Sequence, residues 1–232
     1  MKILVTSAAS ELAAGLAPLL SREHQVLLSD IIDVETEFEF VKCDLSHEEE
    51  TNRLVRGCDV IVHLGELPLS VLTDTEESEN IQIDFQTRCT YNLLHAAKEE
   101  GISRVIYSST LRFFDSHDET WNVNERWAPN PSTEFPALLK YLGEFVCREF
   151  SREGQLSVTC LRLGDLVPDS SKQRGHSALL MSDAIQAFSR ALELQERHWN
   201  IYHIQSEVAR ARFSIDKAKR DLKFDPINRG ET

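Results

Sequence analysis

"KILVTSAASELAAG" (residues 2–15) carries the reading of the fold. A β-branched run, Lys2–Thr6, passes through a turn into a helical pattern over Ser10–Arg22. Strand, turn and helix in that order open the doubly wound sheets that cradle a ligand's phosphates at a helix N-terminus. Such a turn is normally rich in glycine. Here Ser7, Ser10 and Ala13 stand in it, and Gly15 falls well inside the helix.

The same alternation continues along the chain. Further strands are expected at Gln25–Asp30, Phe38–Lys42, Asp59–Leu64, Arg104–Ser109 and Ser157–Leu163. Most are unbroken apolar runs without polar alternation, the pattern of strands buried on both faces of a parallel sheet. Helical patterns lie between them at His47–Arg56, Asp84–Glu100 and Pro136–Glu153. The class is therefore α/β, a doubly wound parallel sheet with right-handed crossovers. After "CLRLGDLVPD" (160–169) the rhythm changes to a helix near 182–196, a strand at 200–204 and a helix at 214–224. No flexible linker intervenes. The expectation is one domain over 1–232, with a nucleotide-binding core over 1–165 and a small C-terminal lobe over 166–232.

Composition narrows the function classes. With 41% hydrophobic and 27% charged residues, the 232-residue chain is of ordinary globular type. No apolar run approaches the roughly 20 residues of a membrane span, and no signal-peptide core follows Met1-Lys2, so a cytoplasmic protein without membrane attachment is expected. Five cysteines, widely spaced and without a C-x-x-C pair, read as isolated thiols in a reducing compartment. A net charge of −13 argues against nucleic-acid binding. The acidic clusters at 46–50 and 74–79 read as solvated faces and loops. The histidines show no metal-ligand spacing, and His63 in "VIVHLG" reads as a satisfied core histidine.

The stretches "KILVTSAAS", "LLSDI", "VKCDLS", "CDVIVHLG", "TYNLLHAAKEEGISRVIYSS", "LKYLGE", "LRLG" and "KAKRDLKFDP" occur in the order seen in extended short-chain dehydrogenases. The chain thus resembles the NAD-dependent epimerase/dehydratase family, and most of all its uronate dehydrogenase-like branch. That resemblance implies a Rossmann-type fold and a set of site residues. Asp30 matches the acidic residue that binds the adenosine ribose hydroxyls, where a carboxylate favours NAD over NADP by repelling a 2′-phosphate. Asp44 and Leu45 match the pair that contacts adenine. Leu64 and Gly65 match the turn beneath the cofactor. Ser109 matches the catalytic Ser/Thr, and Lys140 matches the lysine of Y-x-x-x-K. For Asp30 and Asp44, strand termination or helix capping is the plainer alternative.

Against the family pattern T-G-x-x-G-x-x-G, this chain has Thr6-Ser7-Ala8-Ala9-Ser10-Glu11-Leu12-Ala13. Ser7 and Ser10 place a Cβ and a hydroxyl where phosphate oxygens would sit. A non-glycine residue in the left-handed region costs about 1–2 kcal/mol, unless the turn relaxes and a serine caps the helix instead. Glu11 adds a carboxylate in the first helical turn, a poor neighbour for a pyrophosphate. The turn is expected to satisfy its own helix terminus.

The catalytic helix departs as well. Four residues before Lys140, where one helical face would present a tyrosine, stands Pro136, which has no proton to exchange and suits the first helical position. Tyr141 lies about 140° further round the helix, and Tyr107 reads as core. The family's active-site asparagine becomes Gln86. Phe113 and Phe114 replace the small residues of the substrate loop and could fill the cleft. Cys89 reads as a buried structural thiol, with no paired base.

Two functions follow. The first is a catalytically impaired binding or regulatory protein, in which NAD binds weakly or not at all and Ser109 and Lys140 are vestigial. The alternative is an active NAD-dependent oxidoreductase or epimerase on a sugar acid or nucleotide sugar. The resemblance also implies a sugar-acid-like small molecule as ligand, and a homodimer through helices 84–100 and 136–153 using Phe85, Leu93, Leu142, Phe145 and Val146.

Overall fold

The computed structural model describes residues 1–73, 75–172, 175–194 and 199–227. Its main sheet holds β1 (Lys2–Thr6), β2 (Gln25–Asp30), β3 (Glu39–Lys42), β4 (Val60–His63), β5 (Arg104–Thr110), β6 (Ser157–Leu163) and β9 (Asn200–Ile204). All pair in parallel, in the spatial order β3-β2-β1-β4-β5-β6-β9. The order reverses between β1 and β4, so the turns after these two strands flank the crevice where doubly wound sheets bind ligands.

Both faces of the sheet are covered, as unbroken apolar strands require. On one face, α1 (Glu11–Leu20) and α6 (Met181–Glu193) pack Leu12, Leu16, Ala187 and Phe188 against Ile3, Val5 and Val62. On the other, α2 (Glu48–Val55), α4 (Thr90–Glu99) and α5 (Ala137–Arg152) bring Leu54, Leu93, Leu94 and Cys147 onto Leu4, Ile61 and Val105.

The region after residue 165 is more integral to the sheet than a lobe would be. β9 is its seventh strand, beside β6, and α6 belongs to the α1 layer. Two short strands, β7 (Asp165–Val167) and β8 (Ala178–Leu180), pair with each other apart from the sheet. Gly164 permits their entry, because a Cβ there would lie 2.1 Å from the Ser177 carbonyl oxygen. The last helix, α7, is short (Asp216–Asp221), and the end of the 182–196 expectation lies outside the described residues.

Of the acidic run at 74–79, Asp74 lies outside the described residues, and Glu76, Glu77 and Glu79 lie exposed on a helix, a solvated face. From Glu76 the run forms the first turn of α3 (Glu76–Asp84), capped by Thr75, whose side chain accepts the Ser78 N–H at 3.2 Å. Glu76, Glu77 and Glu79 thus face the positive end of a helix dipole. α3 continues into α4 through a π-turn at Phe85–Cys89, which widens the helix where Gln86 points inward.

Phe113 and Phe114 do not fill the crevice. They lie in a third cluster with Leu111, Val123, Ala137 and Phe213, both fully buried, and the Arg162 guanidinium sits 5.5 and 5.7 Å from their rings.

α5 approaches β5 closely because Gly143 has no side chain. A Cβ there would stand 2.1 Å from the Tyr107 hydroxyl and 2.9 Å from Gln86 Oε1. Gly143→Ala is therefore expected to lower stability by about 1–3 kcal/mol through overpacking. Urea denaturation checks this, and an unchanged midpoint would contradict it.

Candidate functional site

The turn after β1 keeps the backbone of a glycine-containing turn with a serine in it. Ser7 has φ 61°, in the left-handed region, and its side chain is buried. Its Oγ accepts the Glu66 backbone N–H at 2.9 Å, which ties this turn to the one after β4. Ser10 is the N-cap of α1, its Oγ accepting the Ala13 N–H at 3.1 Å. Glu11 follows, exposed in the first turn. The turn thus does both things considered from sequence: it keeps the strained conformation, and a serine caps the helix.

Asp30 ends β2 and is buried. One carboxylate oxygen accepts the Ala9 N–H at 3.0 Å; the other accepts Ile31 N–H at 2.7 Å and Ile32 N–H at 3.3 Å. Its acceptor positions face the protein's own backbone. Asp44 is exposed and accepts the Ser46 N–H at 2.8 Å, an Asx-type turn before α2. Leu45, at φ 61°, buries its side chain in the α2–α4 layer. Where Ser7, Asp30, Leu45 and Glu66 meet, the free space is about 10 Å³, roughly one water.

A larger cavity opens on the other side of the switch point, between the β4 and β5 turns and the start of α5. It measures about 390 Å³ and is bordered by Gly65, Gln86, Thr110, Pro136 and Lys140. Leu64 is fully buried, its N–H donating to Thr6 Oγ1 at 3.2 Å, and Gly65 turns the chain at φ 61°. Lys140, partly buried, donates from Nζ to the Leu64 carbonyl at 2.5 Å and to the Ser108 carbonyl at 3.1 Å. It braces the ends of β4 and β5. Desolvation pushes its pKa down to about 8, with Glu66 pulling the other way.

Ser109 is turned into the protein. Its Oγ donates to Glu144 Oε2 at 2.7 Å, and Glu144 holds Arg162 through contacts of 2.5 and 3.1 Å. The pair is almost completely buried. One residue on, Thr110 is partly exposed at the cavity, its Oγ1 accepting the Arg112 N–H at 3.2 Å. Glu144 and Thr110 were not singled out from the sequence. Glu144 had a signal, being four residues after Lys140 on the same helix face.

Pro136 sits at the N-cap of α5, and its carbonyl accepts the Lys140 N–H at 3.1 Å. Neither nearby tyrosine takes the missing phenol's place. Tyr107 is fully buried, donates to Gln86 Oε1 at 3.1 Å, and burial raises its pKa well above the ordinary value. Tyr141 packs edge-on against Phe113 at 5.6 Å. Gln86 completes its own bonding by donating to the Gly65 carbonyl at 2.5 Å. His63 is fully buried between Thr6 Oγ1 at 2.8 Å and Thr90 Oγ1 at 3.1 Å, and desolvation lowers its pKa to about 3. It is a satisfied core histidine. Burial pushes the Cys89 thiol up to about 12, which keeps it protonated and unreactive. Among the described residues no group of three or more His, Cys, Asp or Glu is placed to hold a metal, and no helix is long and apolar enough to cross a membrane.

A parallel sheet with its crevice at the β1/β4 reversal, an acidic residue closing β2 and a lysine under the β4 turn define a Rossmann-type α/β protein. The chain belongs to the NAD dependent epimerase/dehydratase family, whose profile matches residues 8–205. Relatives include the uncharacterised protein YtbQ of Bacillus subtilis, 25% identical over 99% of this chain and 96% of its own. Uronate dehydrogenase of Pseudomonas syringae pv. tomato is 27% identical over 82% of this chain and 69% of its own. A mutant uronate dehydrogenase from Agrobacterium tumefaciens, solved with NAD, superposes with a TM-score of 0.82 at 21% identity, covering 98% of this chain and 84% of that one. That superposition shows the shared fold.

The Ser109–Glu144–Arg162 network yields a stability test. Glu144→Gln leaves a buried guanidinium without its counter-charge, a change expected to cost about 3–5 kcal/mol. Ser109→Ala removes one hydrogen bond and is expected to cost about 1–2 kcal/mol. Equilibrium denaturation of the two variants checks the ranking, and equal small losses would contradict it.

Proposed function

We propose that this chain is a binding or regulatory member of its family with impaired turnover, acting through the cleft above Lys140 and engaging NAD weakly or not at all. The observation that carries the reading is the self-closure of the β1 turn. Ser7 Oγ is held by the Glu66 N–H, Asp30 by the Ala9, Ile31 and Ile32 N–H groups, and the space between them is about 10 Å³. These residues do not fit the adenosine half of a dinucleotide. Seating one would require that slot to widen. The absence of a phenol four residues before Lys140 supports the same view, because a general acid–base group typically contributes about 10²–10⁴-fold.

A second reading is an active NAD-dependent oxidoreductase or epimerase on a sugar acid or nucleotide sugar. It is favoured by Lys140 and Thr110 at the cavity and by the uronate dehydrogenases among the relatives. If NAD binds at all, the Asp30 carboxylate favours it over NADP. The five buried free thiols support a reducing, cytoplasmic setting.

Melting with and without NAD separates these readings. A ligand at 100 times its Kd stabilises a protein by about 2.7 kcal/mol. Millimolar NAD is expected to leave the melting temperature of the wild type unchanged. The combined change Ser7→Gly, Ser10→Gly and Pro136→Tyr is expected to gain NAD binding. A clear shift in the wild type, or NADH formation from uronic acids that is lost in Lys140→Ala, would overturn the first reading.

We further propose a homodimer through the α3–α4 and α5 helices. Phe85 and Leu93 are buried against the sheet, so the face on offer is formed by Tyr91 and Phe145, 50% and 48% exposed, with Ile81 and Ile83 nearby in sequence. Light scattering at tens of micromolar is expected to give twice the chain mass, and Phe145→Glu to halve it. A monomeric wild type would contradict this.

A further inference from the structure

The walls of the 390 Å³ cavity differ in character from what a polyhydroxylated ligand needs. Leu67, Leu69, Leu72, Leu139, Leu163 and Leu166 line it. Three of them are unusually open for leucine: Leu69 is 86% exposed, Leu72 39% and Leu166 36%. Exposed apolar surface gathered at the mouth of a cavity is the usual mark of a ligand-binding groove.

Four of the polar side chains at the cavity are committed elsewhere, while Glu66, Ser108, Thr110 and Arg112 also border it. Gln86 bonds the Gly65 carbonyl and Tyr107, Ser109 bonds Glu144, Asp165 accepts from Ser177 Oγ at 2.5 Å, and Gln82 donates to Ser78 Oγ at 3.3 Å. A uronic acid carries several hydroxyls, each needing a partner once it leaves water. Leucines cannot supply those partners. Lys140, which borders the cavity with two of its three N–H groups on the Leu64 and Ser108 carbonyls, has a third N–H outside these two bonds and brings a positive charge to the leucine wall.

We infer that this cleft takes a small amphipathic carboxylate, an aryl or alkyl acid with few hydroxyls, its carboxylate on Lys140 and its apolar body against the leucine wall. The inference rests on the reading that the cleft binds its ligand without a dinucleotide. The volume lies within the range of small-molecule pockets, so a ligand with one aromatic ring and a short chain fits.

Protonation of Lys140 then controls binding. Its neighbours are Glu66, which favours the ammonium, His63, which burial keeps neutral, and Cys147 and Cys160, which burial keeps as thiols. Tyr107, whose ring lies 5.7 Å from Nζ, stays a neutral phenol; Arg112 and Asp165 stand at the cavity's exposed edge. The ammonium is present below about 8 and is lost above it, so affinity for an anion falls as pH rises.

Calorimetry with 3-phenylpropionate, its methyl ester, glucuronate and NAD tests the assignment on the wild-type chain. Phenylpropionate is expected to bind about tenfold or more tightly than either the ester or glucuronate, and to weaken about tenfold between pH 7 and 9.5. Lys140→Met is expected to erase the difference between acid and ester. Leu69→Asp, at an exposed position that folding does not need, is expected to weaken phenylpropionate about tenfold and leave the melting temperature unchanged. Glucuronate binding as tightly as phenylpropionate, an ester equal to the acid, or no phenylpropionate binding would each overturn the inference. The NAD arm stands apart: tight NAD binding would overturn the proposed function whichever acid the cleft prefers.

Discussion

The hydrogen bond from the Glu66 backbone N–H to Ser7 Oγ, 2.9 Å long, fixes the relation between the two turns that bound the crevice. It occupies the side chain that a non-glycine residue brings into this turn, and it holds that residue at φ 61°. The strain of a serine in the left-handed region is about 1–2 kcal/mol, and a net hydrogen bond contributes about 1 kcal/mol in return. The Asp30 bond to the Ala9 N–H extends the same closure to β2. The space among Ser7, Asp30, Leu45 and Glu66 is about 10 Å³, against about 390 Å³ above Lys140.

α5 organises that open end. Pro136 begins it, Lys140 reaches the carbonyls of β4 and β5, Gly143 admits the Tyr107 hydroxyl, and Glu144 neutralises Arg162. Two of these four roles, those of Gly143 and Lys140, concern packing and the bracing of strand ends. Lys140 therefore has a structural reason to be present whether or not a proton moves beside it. The same lysine borders the cavity, so bracing and the proposed binding would share one side chain.

Most of the fold was legible in the chain because unbroken β-branched runs alternate with helical patterns, and buried parallel strands write that signature directly. The place of β9 was not legible, since a short strand after a helix reads alike as a lobe or as a sheet edge. Nor was α3, because charge alone does not separate a solvated loop from the first turn of a capped helix; the Thr75 cap was the missed signal. At the site, the self-satisfaction of the turn could be anticipated from Ser7 and Ser10. The bond to Glu66 could not, as it joins residues 59 positions apart. The leucine wall escaped for the same reason: its members come from the β4 turn, α5 and the β6–β7 junction, and only the fold gathers them.

The central claim is that the closed turn excludes the dinucleotide its family is named for. The most direct measurement is the nucleotide released on denaturing the purified protein, quantified by mass spectrometry against protein concentration. The account predicts NAD and NADH at a small fraction of one equivalent. Near-equimolar NAD or NADH in that extract would contradict it, since it would mean the Ser7–Glu66 and Asp30–Ala9 bonds open readily for the cofactor.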